Sequence, residues 1–222
     1  MKELKTKKDF MEAFKEVLDT IEKGFPPPPD GSSCGFCFYC CTIVYRLKLT
    51  VSNLEIDWLK EKVSEGRITE AEFQAFMDYI YQRKDPTGKR DLIYFRCPFY
   101  NPKIPGCGIY PIRLYTCRVY GIIDTNKLPE FCIYYNPKGG FPPEEMYERV
   151  WGLSDYKEIT LRYDLYIAKS EGEVIEAQFK LAEELFTQKR YEESLKEFKE
   201  LLKLSPNHLK GLEYIERLNK VL

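Results

Sequence analysis

The chain has 222 residues, with 34 Lys+Arg against 35 Asp+Glu and a formal net charge of -1. A chain of this length buries about 70–75% of its unfolded surface, so it needs no disulfide staples to hold a core. Its 44% hydrophobic and 31% charged residues exclude a disordered or fibrous protein, and the balanced charge disfavours nucleic-acid binding through a global basic field.

Phe10, Phe14, Val17, Leu18 and Ile21 recur at helical spacing and Gly24 supplies a stop, which predicts an amphipathic helix over residues 6–23. Acids and bases are mixed on that period, and no apolar stretch with a small-residue cleavage site is present, so no secretory signal is expected. The longest uncharged stretch, Gly31 to Tyr45, is broken by Ser, Gly and four Cys and cannot fill a bilayer core. The expectation is a cytoplasmic protein without a membrane span. Pro26 to Pro29 form a stiff spacer, because proline cannot continue a helix.

After the cysteine-dense run DGSSCGFCFYCC, Thr42 to Leu49 is β-branched and aromatic enough for a strand. Ser52 can cap a helix carrying Leu54, Trp58, Leu59 and Val63, and Thr69 with Glu72 form a capping box ahead of Phe73, Phe76, Met77, Ile80 and Tyr81. The basic stretch around Pro86 and Gly88 reads as an exposed turn, and DLIYF as a short second strand able to pair with the first. From Cys97 to Gly140 periodicity disappears, and so long an irregular stretch in a folded domain calls for something else to order it; metal ligation is the candidate.

Pro142 and Pro143 suit a helix start, and residues 155–222 are helix-prone with breaks near Gly172 and at Ser205-Pro206. Leu181, Ala182 and Leu185 fall on one predicted helix and Tyr191, Ser194, Phe198 and Leu201 on the next, with small residues where two helices approach closely. The segment 175–206 resembles a tetratricopeptide repeat. One unit is visible, and Leu209, Leu212, Ile215 and Leu218 supply a further capping helix.

The cysteines carry the strongest chemical signal. All eight lie between Cys34 and Cys132, and in a reducing compartment clustered thiols point to metal rather than to disulfides. Cys34, Cys37, Cys40 and Cys41 form CxxCxxCC, and each CxxC pair presents two thiolates around one turn, as zinc and iron–sulfur sites do. If the run is helical, Cys34, Cys37 and Cys41 share an arc of about 60° while Cys40 lies about 100° from Cys41. If it is a loop, Cys34, Cys37 and Cys40 follow the CxxCxxC spacing of ferredoxins, whose last ligand is remote. Cys97, Cys107, Cys117 and Cys132 are separated by nine, nine and fourteen residues, too wide for local chelation, so tertiary folding must deliver them. Eight cysteines allow one cluster with spare thiols or two four-thiolate sites. With a single His, His208, a His-rich zinc centre cannot be built. The triple spacing and aromatic surroundings favour a [4Fe-4S] cluster over zinc.

CxxCxxCC at 34–41, Cys97-Pro98-Phe99, and CGIYPIRLYTCRVYG from Cys107 to Gly121 together resemble the CxxCxxCC (YkgJ-like) family of zinc- or iron-chelating domains with eight cysteines, over roughly residues 30–137. Where the family commonly has Arg-Pro, this chain has Arg113-Leu114. The family includes relatives of flagellin lysine N-methylases, so the resemblance implies a link to methyl transfer. It also implies cofactor-side roles for Arg113 and Arg118, whose guanidinium groups can offset the negative charge of a thiolate cluster; Arg96, beside Cys97, reads equally well as a solvated surface residue. Tyr110, Tyr115, Tyr120, Tyr134 and Tyr135 read as packing residues first. The lysines at 2, 5, 7 and 8 and the Arg83–Arg90 turn read as solvated charge. No GxGxxG or GxxxxGK[ST] occurs, so dinucleotide and P-loop sites lack support.

The expected architecture is mainly α with a small β element. An irregular, metal-centred cysteine domain over 1–150 precedes a C-terminal helical hairpin repeat over 151–222. The leading functional expectation is an iron–sulfur protein serving a redox, methyl- or group-transfer reaction. The alternative is a zinc-stabilised adaptor whose helical tail recruits a protein partner.

Overall fold

Local side-chain chemistry starts several of the described helices. In the computed structural model, which describes residues 4–24, 51–82, 97–101, 103, 106–115, 117–118 and 152–222, helix α1 (Lys7–Gly24) opens where Thr6 Oγ1 accepts from Asp9 N (3.2 Å) and Asp9 Oδ2 accepts from Thr6 N (2.8 Å). The CxxCxxCC run, Cys132, Arg96, the proline spacer, the strands expected at 42–49 and 91–95 and the helix start after Pro143 lie outside the described residues. The described residues are mainly helical. None of their helices is long and apolar enough to cross a membrane.

The chain divides into two compact units, one of Leu18–Arg149 and one of Met1–Val17 with Val150–Leu222. In the first, α2 (Asn53–Ser64) begins with a full capping box, Glu55 N donating to Ser52 Oγ (3.2 Å) and Glu55 Oε2 accepting from Ser52 N (3.0 Å). It ends at Gly66, whose φ of 70° is the left-handed turn that lets Arg67 N reach Lys62 O (2.9 Å). Helix α3 (Glu70–Gln82) starts with the expected Thr69–Glu72 box, Thr69 N donating to Glu72 Oε2 (2.9 Å). Leu54, Trp58, Leu59, Ile68, Phe73 and Phe76 are buried here. A two-residue antiparallel pair follows, β1 (Tyr100–Asn101) with β2 (Gly106–Cys107), where the sequence predicts irregular chain.

In the other unit Phe10 and Phe14 of α1 meet Tyr163 and Tyr156 of α4 (Gly152–Ile167), with ring centroids 5.2 and 6.2 Å apart. Helices α5 (Glu171–Thr187), α6 (Tyr191–Leu204) and α7 (Leu209–Asn219) pack each on the one before. The break expected near Gly172 falls at 168–170, and Gly172 sits in the first turn of α5, because Ser170 and Glu173 close a capping box that starts the helix at Glu171. Ala182 and Ser194 bring α5 and α6 together: Ser194 Oγ donates to Ala182 O (2.8 Å). Ala182, Phe198, Leu201 and Leu218 form a fully buried cluster, with Phe179, Phe186 and Tyr214 packed against it.

This unit also holds charge that the periodicity does not reveal. Glu158 is 1% exposed and is ion-paired with Arg162 (2.8 Å) and Arg190, while Arg190 grips Glu193 with Nε (2.8 Å) and Nη2 (2.6 Å). Arg190 holds the Glu193 carboxyl below its usual 4.5, the Lys169 and Ser170 amides do the same for Glu173, and Lys220 for Glu216. Such groups bind fewer protons folded than unfolded, so their stabilisation is complete above about pH 4.5 and is lost as pH falls through the lowered values. Burial, then the neighbouring Glu158, pushes Asp155 the other way, one group against three. The thermal midpoint of helix loss should therefore be flat above about pH 5 and fall below it, less steeply in Glu193→Gln; a midpoint that rises on acidification contradicts this ion-pair account.

Candidate metal centre

Three of the eight cysteines belong to the described residues, on a segment that folds back on itself. Phe99 anchors it: this ring is buried and stacks on Phe76 of α3 with centroids 4.9 Å apart. From that anchor β1 runs antiparallel to β2, with Tyr100 opposite Cys107, and Gly108 N donates to Phe99 O (2.7 Å). The pairing places the strand that follows Cys97 alongside the one that ends in Cys107, ten positions later in the chain. A 3-10 turn over Tyr110–Ile112 follows, started by Pro111, and Arg118 N donates to Leu114 O (3.1 Å) in helical backbone that carries Cys117. Cys97 and Cys107 are half-buried and Cys117 is exposed.

The apolar positions of this segment face inward. Ile109, Ile112, Leu114 and Tyr115 are all buried, while Cys117 is exposed. Two residues of α2 then fasten the turn. Trp58 Nε1 donates to Ile112 O (3.3 Å), and Tyr115 N donates to Glu55 Oε1 (2.9 Å). Glu55 is fully buried. Burial pushes the Tyr115 hydroxyl well above the ordinary tyrosine range, and the Glu55 carboxylate adds to it.

Both arginines singled out by sequence are buried, at 8% for Arg113 and 6% for Arg118, which rules out their being solvated surface residues. Arg113 lies over the Tyr110 ring, 3.9 Å from its centroid. Arg118 donates from Nε to Arg113 O (3.0 Å) and from Nη2 to Pro111 O (2.9 Å), so it clips the turn that precedes Cys117. Burial lowers its guanidinium to about 10, opposed by Asp19, and it stays cationic at neutral pH. Protein hydrogen bonds thus supply part of the order that the sequence assigns to metal alone.

Among the described residues no three His, Cys, Asp or Glu side chains are grouped closely enough to hold a metal ion. Cys34, Cys37, Cys40, Cys41 and Cys132 lie outside those residues. Residues 33–133 match the CxxCxxCC family model, described as "Putative zinc- or iron-chelating domain". No curated protein and no solved structure matches the chain. The CxxCxxCC match spans all eight cysteines and both arginines. Its donors fit either metal, since thiolates are the ligands of closed zinc sites and of iron–sulfur clusters alike. His208 is engaged elsewhere, its Nδ1 accepting from Gly211 N (3.1 Å) as the cap of α7.

Sequence reading did not find Glu55 or Trp58. The Ser52-x-x-Glu55 spacing signals a capping box, but such a box uses only one carboxylate oxygen, and nothing local shows that the other reaches Tyr115 N sixty residues on.

Proposed function

We propose that the protein carries an iron–sulfur cluster, a [4Fe-4S] centre held by cysteine thiolates of residues 33–133, and uses it in a redox, methyl- or group-transfer reaction. The observation that carries this reading is the CxxCxxCC match over a span containing every cysteine of the chain. The ligands are Cys34, Cys37, Cys40, Cys41, Cys97, Cys107, Cys117 and Cys132, enough for one cluster with spare thiols or for two four-thiolate sites. Arg113 and Arg118, buried beside the Cys107–Cys117 turn, offset the negative charge of a thiolate cluster. Thiolate ligation persists in a reducing compartment, and on that ground we place the protein in the cytoplasm.

A second reading is a zinc-stabilised adaptor whose tetratricopeptide-like tail recruits a protein partner. It is supported by α7, which leaves Leu209 76% and Leu212 44% exposed. Anaerobic purification followed by iron, zinc and acid-labile sulfide analysis separates the two. Iron with matching sulfide is expected; colourless protein with stoichiometric zinc and no sulfide overturns the cluster in favour of the adaptor.

A further inference from the structure

We propose that Glu55 is a positioning residue for metal retention: by bonding both the cap of its own helix and the backbone of the Cys107–Cys117 turn, it sets the turn in its ligating shape before metal arrives. The inference rests on the metal reading given above and assigns a residue that the cysteine pattern does not contain.

A carboxylate is costly to bury. Glu55 is fully buried, and a buried charge is tolerated only where hydrogen bonds satisfy it. Its Oε2 takes the Ser52 N–H (3.0 Å) and hydroxyl (3.1 Å), and its Oε1 takes the Tyr115 N–H (2.9 Å). A capping box alone forms with glutamate at the protein surface, as Thr69 and the exposed Glu72 show in the same unit. Burial of Glu55 therefore serves its second contact. That contact falls two residues before Cys117 and next to the exposed thiol-bearing turn. Trp58, three residues on and so on the same face of α2, fastens the start of the turn at Ile112 O. Arg118 closes the turn internally through Pro111 O and Arg113 O. Protein groups thus hold the turn at both ends.

Groups that orient ligands in this way typically change metal affinity about 10- to 100-fold when removed. The test measures, in the full chain, how fast a chromogenic chelator withdraws the metal the protein is purified with. Glu55→Ala should release it about 10- to 100-fold faster. Glu55→Gln keeps an acceptor for Tyr115 N and should stay within a few-fold of wild type. Thr69→Ala removes the cap bond of α3 in the same unit without touching Glu55, and should leave the rate unchanged even where it lowers the melting temperature. Equal acceleration in Thr69→Ala, or none in Glu55→Ala, overturns the proposal. Should Glu55→Ala fail to fold, amide hydrogen exchange in metal-stripped wild type decides: a protected Tyr115 amide is expected, and a freely exchanging one overturns the idea. Metal held equally by wild type and Glu55→Ala removes this inference alone, whereas a wild type that holds no metal overturns the metal reading and this inference with it.

Discussion

Phe198→Ala should destabilise the helical tail by about 3–5 kcal/mol, the range for truncating a large buried aromatic. Phe198 is fully buried in the cluster with Ala182, Leu201 and Leu218. Tyr214 stacks on its ring at 4.9 Å and Phe179 meets it edge-on at 5.9 Å, so the substitution removes contacts made by three of the helices at once. Collapse cannot refill the space cheaply, because Ser194 Oγ already ties α6 to Ala182 O at 2.8 Å. At about 4–8 °C per kcal/mol for a unit of this size, the melting temperature of the tail should fall by at least 12 °C or so. Leu209→Ala, at a side chain 76% exposed, should move it by no more than about 0.5 kcal/mol. A Phe198→Ala protein that melts like wild type would contradict the packing described for α5, α6 and α7.

The second large effect concerns metal. Cys37→Ser should be at least as damaging to bound metal as Cys40→Ser or Cys41→Ser. If 34–41 is helical, Cys37 shares an arc with Cys34 and Cys41; if it is a ferredoxin-like loop, Cys37 is the middle ligand of Cys34, Cys37 and Cys40. On the proposed reading it is a ligand either way. The adjacent pair exchange roles between the two arrangements. If the eight cysteines divide into two four-thiolate sites, Cys40→Ser and Cys41→Ser should each lower metal content in part and should differ in what remains. Elemental analysis of the three variants checks this, and full retention in both Cys40→Ser and Cys41→Ser would refute that division.

Where the sequence was legible, the signals were local. The apolar spacing of Phe10, Phe14, Val17, Leu18 and Ile21 is enough to place α1, and all five are buried. Thr69 and Glu72 lie three residues apart and form the box their spacing implies. The small residues Ala182 and Ser194 mark a close helix approach because only their size permits it. The signals that failed depend on partners distant in the chain. Nothing in the local sequence marks Glu158, yet it is buried against Arg190, thirty-two residues on. At the candidate site, residue types were legible and their support was not. Cys97, Cys107, Cys117, Arg113 and Arg118 stand out by composition and family resemblance, whereas the bonds from Glu55 and Trp58 that shape their turn arise only in the fold.

The central claim is that thiolates of residues 33–133 hold metal, and native mass spectrometry of the full chain, purified anaerobically and weighed before and after treatment with a chelator, tests it most directly. The account predicts a mass above that of the polypeptide by one or two metal centres, lost on chelation as cysteines become reactive to a thiol reagent. A mass equal to the polypeptide alone, with the eight cysteines titrating at once or paired as disulfides, would contradict it.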